Sequence, residues 1–232
     1  MSGYREILDR APYHPDALHY CGLILLGRGD HAGAAKLMGR AVPALGANAD
    51  FNANHGVALR AVGKNEQAKA SFRRALAANP GHGFALYNLG SLLAGERDWA
   101  GAAAQFGRLL EKNPDSAEIA HLLGQALAEL GRTEEAAERY RQAISLDARA
   151  MDARLDLAEL ELAQGRPDSA ESVLAEAAAA TTNLKAPILM AEILARRGDG
   201  PGREKWLDRA REIEPRAAEV FFQAGREMQE TG

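Results

Sequence analysis

LYNLG, residues 86–90, sits inside HGFALYNLGSLLAGERD, a segment whose Leu86, Leu89 and Leu93 otherwise read as one face of a helix. A glycine at the centre of a helix costs about 1 kcal/mol relative to alanine, and asparagine is a middling helix former. The phrase returns as LHYCG at 18–22, NANHG at 52–56 and AHLLG at 120–124, so that Gly22, Gly56, Gly90 and Gly124 stand 34 residues apart. Ala34, Ala68, Ala102 and Ala136 keep the same spacing, and four residues after each comes Met38, Phe72, Phe106 or Tyr140. Pro12, Pro80 and Pro114 each lie ten residues before a repeat glycine. A fixed period of this length marks an architecture in which each unit buries its apolar face against its neighbours.

Each unit reads as two amphipathic helices. Leu86, Leu89, Gly90 and Leu93 follow the i, i+3, i+4, i+7 rule in the first, and Ala102, Phe106 and Leu109 do so in the second. GERD between them is a short turn, with Asp98 placed to cap the second helix, and NPDS ends that helix because proline disfavours helical geometry in its predecessor. Gly29, Gly63, Gly131 and Gly165 occupy the turn slot; Arg97 holds it in the third unit, where Gly95 is expected to supply the turn instead. A fifth unit carries Ala158 in place of the glycine, and a sixth comes one residue early with Ala191 and an irregular RRGDGPGREKW that is expected to delay its second helix.

The expected organisation is a half-repeat at 4–14, repeats at about 15–48, 49–82, 83–116, 117–150, 151–183 and 184–217, and a capping helix at 218–230, all in one domain spanning 1–232. YREILDRAP reads as the second helix of a unit and AEVFFQAGREMQ as the first of another, which makes the ends candidate surfaces for self-association through Tyr4, Ile7, Phe221 and Phe222.

Composition narrows the function classes. The formal net charge of -4 provides no global basic field, which argues against nucleic acid as the main partner. Cys21 stands alone, so an internal disulfide and a thiolate-rich metal site are both excluded, and Leu18 and Leu25 beside it suggest a core thiol. No apolar run approaches the roughly 20 residues that span a bilayer, and MSGYREILDR lacks the hydrophobic centre of a secretory signal, so membrane insertion is not expected and the expected compartment is cytoplasmic, taking Met1 as the natural start.

With glycine, alanine, bulky residue and proline in this order and period, the chain resembles the tetratricopeptide repeat family over nearly its whole length. The resemblance implies an all-α, right-handed superhelical solenoid of antiparallel helix pairs with a concave inner surface. It implies too that the glycine slot packs closely against a neighbouring helix. Asn88 points about 150° away from the apolar face of its own helix, and in such superhelices that side of each first helix lines the groove. The groove slots then bring forward His19, Tyr20, Asn54, Arg60, Phe84, Tyr87, Asn88, Ser91, His121 and Gln125, followed by an acidic end at Asp152, Asp156, Glu159 and Glu192 with Lys185 nearby.

Asn54 and Asn88 resemble two rungs of the asparagine ladder in the tetratricopeptide superhelix of O-linked N-acetylglucosamine transferases, where amides hold the backbone of an extended peptide. One amide both donates and accepts, and so matches a peptide unit of any sequence. A carboxylate clamp is not expected, because its cationic slots carry His19, Leu23 and Phe84.

No two of the six histidines share the i, i+4 spacing of a helical zinc site, no glycine-rich phosphate loop follows a strand, and no nucleophile context surrounds the serines. His55 is expected as a packed, hydrogen-bonded imidazole, and Glu159 with Glu161 as part of a solvated helix face. The sequence therefore predicts a non-catalytic scaffold, without cofactor or metal, that binds an extended peptide or partner helix in the groove. Two alternatives are a substrate-recruiting module at the N-terminal side of a larger bacterial glycosyl-, sulfo- or methyltransferase, and a self-assembling scaffold.

Overall fold

The computed structural model describes residues 2–214 and divides the chain into two compact units, Met1–Pro114 and Asp115–Gly232. Unit 1 holds α1 (Ser2–Arg10), α2 (Pro15–Gly27), α3 (His31–Leu45), α4 (Ala49–Ala61), α5 (Asn65–Ala78), α6 (Gly83–Gly95) and α7 (Trp99–Lys112). Unit 2 holds α8 (Ala117–Glu129), α9 (Thr133–Leu146), α10 (Met151–Ala163), α11 (Pro167–Ala180), α12 (Lys185–Arg196) and α13 (Gly200–Ile213). Among the described residues there is no strand, and the fold is an all-α helical solenoid. The helix expected at 218–230, with Phe221 and Phe222, lies outside the described residues. Among those described, no helix is long and apolar enough to cross a membrane.

Within unit 1, α3 packs against both α2 and α4, and α5 against both α4 and α6; in unit 2, α9 bridges α8 and α10, and α11 bridges α10 and α12. The second helix of each pair is thus inserted between successive first helices on one side. The other side of the first helices is left to face its own row, with α2 beside α4 and α4 beside α6 in unit 1, and α8, α10 and α12 in the same order in unit 2.

The glycine ladder has a direct geometric reason. A Cβ added to Gly22 would lie 2.7 Å from Met38 Cγ, one on Gly56 2.5 Å from Phe72 Cε1, one on Gly90 2.7 Å from Phe106 Cε1 and one on Gly124 2.6 Å from Tyr140 Cε1. In every case the obstacle is the bulky residue of the partner helix in the same pair, and all four of those side chains are buried. Where the slot becomes Ala158, its partner position becomes Leu174, and both sit in one buried cluster with Leu155, Leu162 and Ile193. Small and large are exchanged together, as volume conservation in a close-packed core requires.

The pairs are also fixed at their corners. Asp30, Asp98 and Asp199 accept hydrogen bonds from the N–H groups of Gly33, Gly101 and Gly202 at 2.8, 2.9 and 2.9 Å, capping three second helices. The expected delay around RRGDGPGREKW is corrected: α13 begins at Gly200 straight after its Asp199 cap, because Pro201 falls in the first turn, where its missing N–H has no partner to lose. Gly95 does not supply the third turn. It ends α6, and Arg97 itself takes the left-handed conformation at φ 63°, the region that Gly29, Gly63, Gly131, Gly165 and Gly198 occupy in the other turns.

Two outcomes are expected. Gly90→Ala lowers stability by about 1–3 kcal/mol despite the better helix propensity of alanine, because its methyl group meets the Phe106 ring. Combined with Phe106→Leu, the loss is smaller than the sum of the two single losses; urea denaturation of the four chains measures this coupling. Arg97→Gly raises the unfolding free energy by about 1 kcal/mol, read as a higher urea midpoint at unchanged slope, because a Cβ in the left-handed region costs about 1–2 kcal/mol that glycine avoids.

Candidate functional site

In unit 1 the row formed by α2, α4 and α6 carries most of the residues singled out from the sequence. His19 and Tyr20 of α2 stack on each other with ring centroids 5.4 Å apart, and Tyr4 of α1 stacks on Tyr20 at 5.3 Å. His19 meets the buried Phe51 ring edge-on at 5.3 Å. Burial lowers the imidazole pKa, while Asp16 and Asp50 pull it the other way. Neutral His19 can therefore accept from Asn54, whose Nδ2 lies 3.5 Å from His19 Nε2. One pair further along, Arg60 donates to Asn88 Oδ1 at 3.4 Å, and Asn88 Nδ2 donates to the Phe84 carbonyl at 2.8 Å. Ser91 Oγ donates to the Tyr87 carbonyl at 2.8 Å.

Asn88 is only 8% exposed, with both ends of its amide engaged inside the fold. The rotation rule places a residue relative to the axis of its own helix, and says nothing about the adjacent helix that closes over it. Tyr20 and Phe84, by contrast, are 45% and 49% exposed, and Asn54 is half-buried.

In unit 2 the first-helix row is held by a carboxylate. Asp156 Oδ2 on α10 lies 2.7 Å from His121 Nε2 and accepts from Gln125 Nε2 at 2.9 Å, tying α10 to two successive turns of α8. Tyr140 packs below, its ring 5.8 Å from that of His121. Burial first, then Asp156, Glu159 and Glu129, holds its phenol above the usual range, so it stays protonated. Further along the row, Glu159 of α10 and Lys185, Ile188, Leu189 and Glu192 of α12, with Leu184 just before it, line an open pocket of about 270 Å³. Asp152 lies in the first turn of α10 and is not part of that lining. Among the described residues, no three histidine, cysteine or carboxylate side chains come together as a metal site.

Several polar residues with structural partners stand outside the expected set. Glu161, grouped from the sequence with Glu159 on a solvated face, is 1% exposed, and this corrects that reading. It accepts from Arg141 at 2.6 Å and from Arg166 at 2.5 Å. The signal was present: Glu161 stands 34 residues after Leu127 in the ladder Leu25, Leu59, Leu93, Leu127. Asn52 is fully buried and donates to the carbonyls of Gly46 and Asn48, both at 2.8 Å, while accepting from Arg74 at 3.1 Å. His14 and His82 are N-caps, accepting through Nδ1 from Ala17 and Ala85 at 3.4 and 3.2 Å in the slot that Asn48 and Ser116 fill in other pairs.

His55 is packed as expected, 6% exposed and stacked on Phe51 at 5.9 Å, but its Nδ1 has no hydrogen-bond partner among the described residues. Burial and then the Arg74 charge lower its pKa to about 4, with the Ala35 carbonyl acting the other way.

These two rows of first-helix side chains, set on stacked helical pairs, define a repeat scaffold of the protein-interaction class. Models of the tetratricopeptide repeat match residues 54–117, 88–138 and 127–186, a continuous stretch covering more than half of the chain. The chain belongs to the tetratricopeptide repeat family. Solved structures with a similar fold include Pseudomonas aeruginosa pilF, at 19% identity and TM-score 0.69 over 91% of this chain and 97% of that one. MamA from Desulfovibrio magneticus RS-1 is similar at 19% identity and TM-score 0.65, covering 70% and 92%. YrrB, described as a tetratricopeptide repeat protein with an unusual peptide-binding site, is similar at 21% identity and TM-score 0.66, covering 78% and 94%. No curated protein matches the chain in sequence.

The buried imidazole has a consequence for acid stability. The His55 pKa falls from 6.5 in the unfolded chain to about 4 in the fold, so the native state binds fewer protons across that interval. Its contribution is fully present above pH 6.5 and is lost as the pH falls towards 4, an effect of about 3 kcal/mol. His55→Leu, which places there the residue found at Leu89 and Leu123, is expected to flatten the fall in stability between those pH values, as read from urea midpoints.

Proposed function

We propose that the chain is a non-catalytic scaffold whose unit 1 row, from His19 and Tyr20 through Asn54 to Phe84 and Tyr87, binds an extended peptide. The observation that carries this reading is the exposure of Tyr20 and Phe84 on first-helix faces, in a unit where Phe51, Phe72 and Phe106 are completely or almost completely buried. Large aromatic side chains offer contact area at small entropic cost, and those left uncovered beside polar groups are the usual anchors of recognition. Asn54 lies between them, half-buried, and among the described residues its amide pairs with the His19 ring at 3.5 Å, which leaves it capacity to hydrogen-bond a peptide backbone. Asn88 contributes by bonding Arg60 of α4 and the Phe84 carbonyl in the first turn of α6.

The polar groups of the rows link helices together rather than converge on one reacting atom. The His121–Asp156 pair shares its carboxylate oxygen with Gln125 and acts as a strut between α8 and α10.

A random 12-residue peptide library displayed on phage and panned against the full chain tests this reading. Peptides recovered on the wild-type chain are expected to lose at least about tenfold in affinity, or 1.4 kcal/mol, on Tyr20→Ser/Phe84→Ser, and less on Asn54→Ala. These three side chains are exposed or half-buried, so circular dichroism should show unchanged folding. Equal affinity for the wild-type and Tyr20→Ser/Phe84→Ser chains would place the peptide elsewhere and sink the reading.

A further inference from the structure

The unit 2 pocket is lined by apolar Leu184, Ile188 and Leu189, by one cation, Lys185, and by a carboxylate on each of two helices, Glu159 on α10 and Glu192 on α12. Its volume of about 270 Å³ is below the roughly 300–1,000 Å³ of small-molecule sites, a size suited to a side chain rather than a cofactor. We propose that this pocket docks the lysine or arginine side chain of a peptide segment with apolar residues on either side of it, the alkyl stem lying on the leucines and isoleucine and the cationic head between Glu159 and Glu192. The proposal rests on the reading of the chain as a peptide-binding scaffold and assigns unit 2 a ligand chemistry of its own.

Charge complementarity selects this occupant. Among the described residues Glu159 makes no ion pair, and Glu192 pairs only with Arg196, at 2.8 Å on an exposed edge. Asp156 is already engaged by His121 and Gln125. Burial and the Asp156 charge raise the Glu159 carboxyl above its usual range, Lys185 acts against them, and Glu192 adds to the rise. A carboxylate held among like charges in a partly apolar lining, with Lys185 the one cation there, gains from a further cation that brings its own apolar stem. An anionic or purely apolar segment lacks that match.

Three fluorescein-labelled pentapeptides Ala-Leu-Xaa-Leu-Ala, with lysine, norleucine or glutamate at the centre, provide the probe. Norleucine retains an unbranched alkyl chain without the charge. Anisotropy titration against the full chain is expected to show the lysine peptide binding at least about tenfold more tightly than the norleucine one, and the glutamate peptide most weakly. Glu159→Gln/Glu192→Gln, a near-isosteric change at the pocket rim, is expected to remove the preference for lysine while leaving norleucine binding and the thermal midpoint unchanged. A lysine preference that survives this double change overturns the proposal, as does equal binding of the lysine and glutamate peptides. If peptides selected on the unit 1 row bind but the lysine preference is missing, only the pocket assignment fails. If neither those nor the pentapeptides bind, the peptide-binding reading fails with it.

Discussion

The close approach of a first helix to the bulky residue of its partner is the contact on which the rest of the structure depends. With Gly22, Gly56, Gly90 and Gly124 in place, no side chain separates the backbone from Met38, Phe72, Phe106 or Tyr140, and the two helices of a pair meet through a filled core. Replacing glycine by alanine and ring by leucine, as at Ala158 and Leu174, keeps the sum of volumes without keeping either residue. A packed interior tolerates such paired exchange far better than a change on one side alone.

That contact also decides which surface remains. With the second helices packed between successive first helices, α2, α4 and α6, and likewise α8, α10 and α12, also meet one another along their own rows. Side chains there meet residues about one repeat away: His19 and Asn54, Arg60 and Asn88, His121 and Asp156. Unit 1 develops the row with exposed aromatics beside amides, and unit 2 with carboxylates beside apolar side chains.

The repeat itself was legible because it depends on residue volume at a fixed interval, which the sequence displays openly in the glycine, alanine and aromatic ladders. The row surfaces were legible only in part. Helical rotation places Asn88 away from its own core, yet burial was decided by α4 and by the reach of Arg60, a contact between residues 28 apart in sequence. Arg97 was misread for a related reason: a turn glycine two residues away looked like a substitute, whereas the turn geometry requires the left-handed conformation at one position and imposes it on whichever residue stands there. Glu161 was missed because charge suggested solvent, although its slot in the leucine ladder already placed it inside.

The departures from strict repetition point to a common physical role. Lys69 lies 2.6 Å from Glu96 in unit 1, joining a second helix to the turn of the following pair. The corresponding slots in unit 2 carry Glu171 and Arg197, paired with the charges reversed and with Asp168 adding a contact to Arg197 at 3.0 Å. Elsewhere the second-helix slot is Ala35, Ala103 or Ala137, which makes no such bridge. Lys69 is buried and Glu96, Glu171 and Arg197 are partly exposed, and desolvation offsets much of the attraction in such pairs, so they add little net stability. Their sign, however, is specific: Lys69 placed against Arg197, or Glu171 against Glu96, would set like charges together at a contact that the leucine and alanine ladders treat as interchangeable. A chain of near-identical units needs some such penalty against pairing out of order, because apolar packing alone accepts several registers. The buried Glu161 with Arg141 and Arg166 serves the same end within unit 2, since a carboxylate in a leucine slot is tolerated only where both guanidinium groups meet it. Apolar periodicity therefore builds the stack, and the few charges that interrupt it add contacts that are specific in sign.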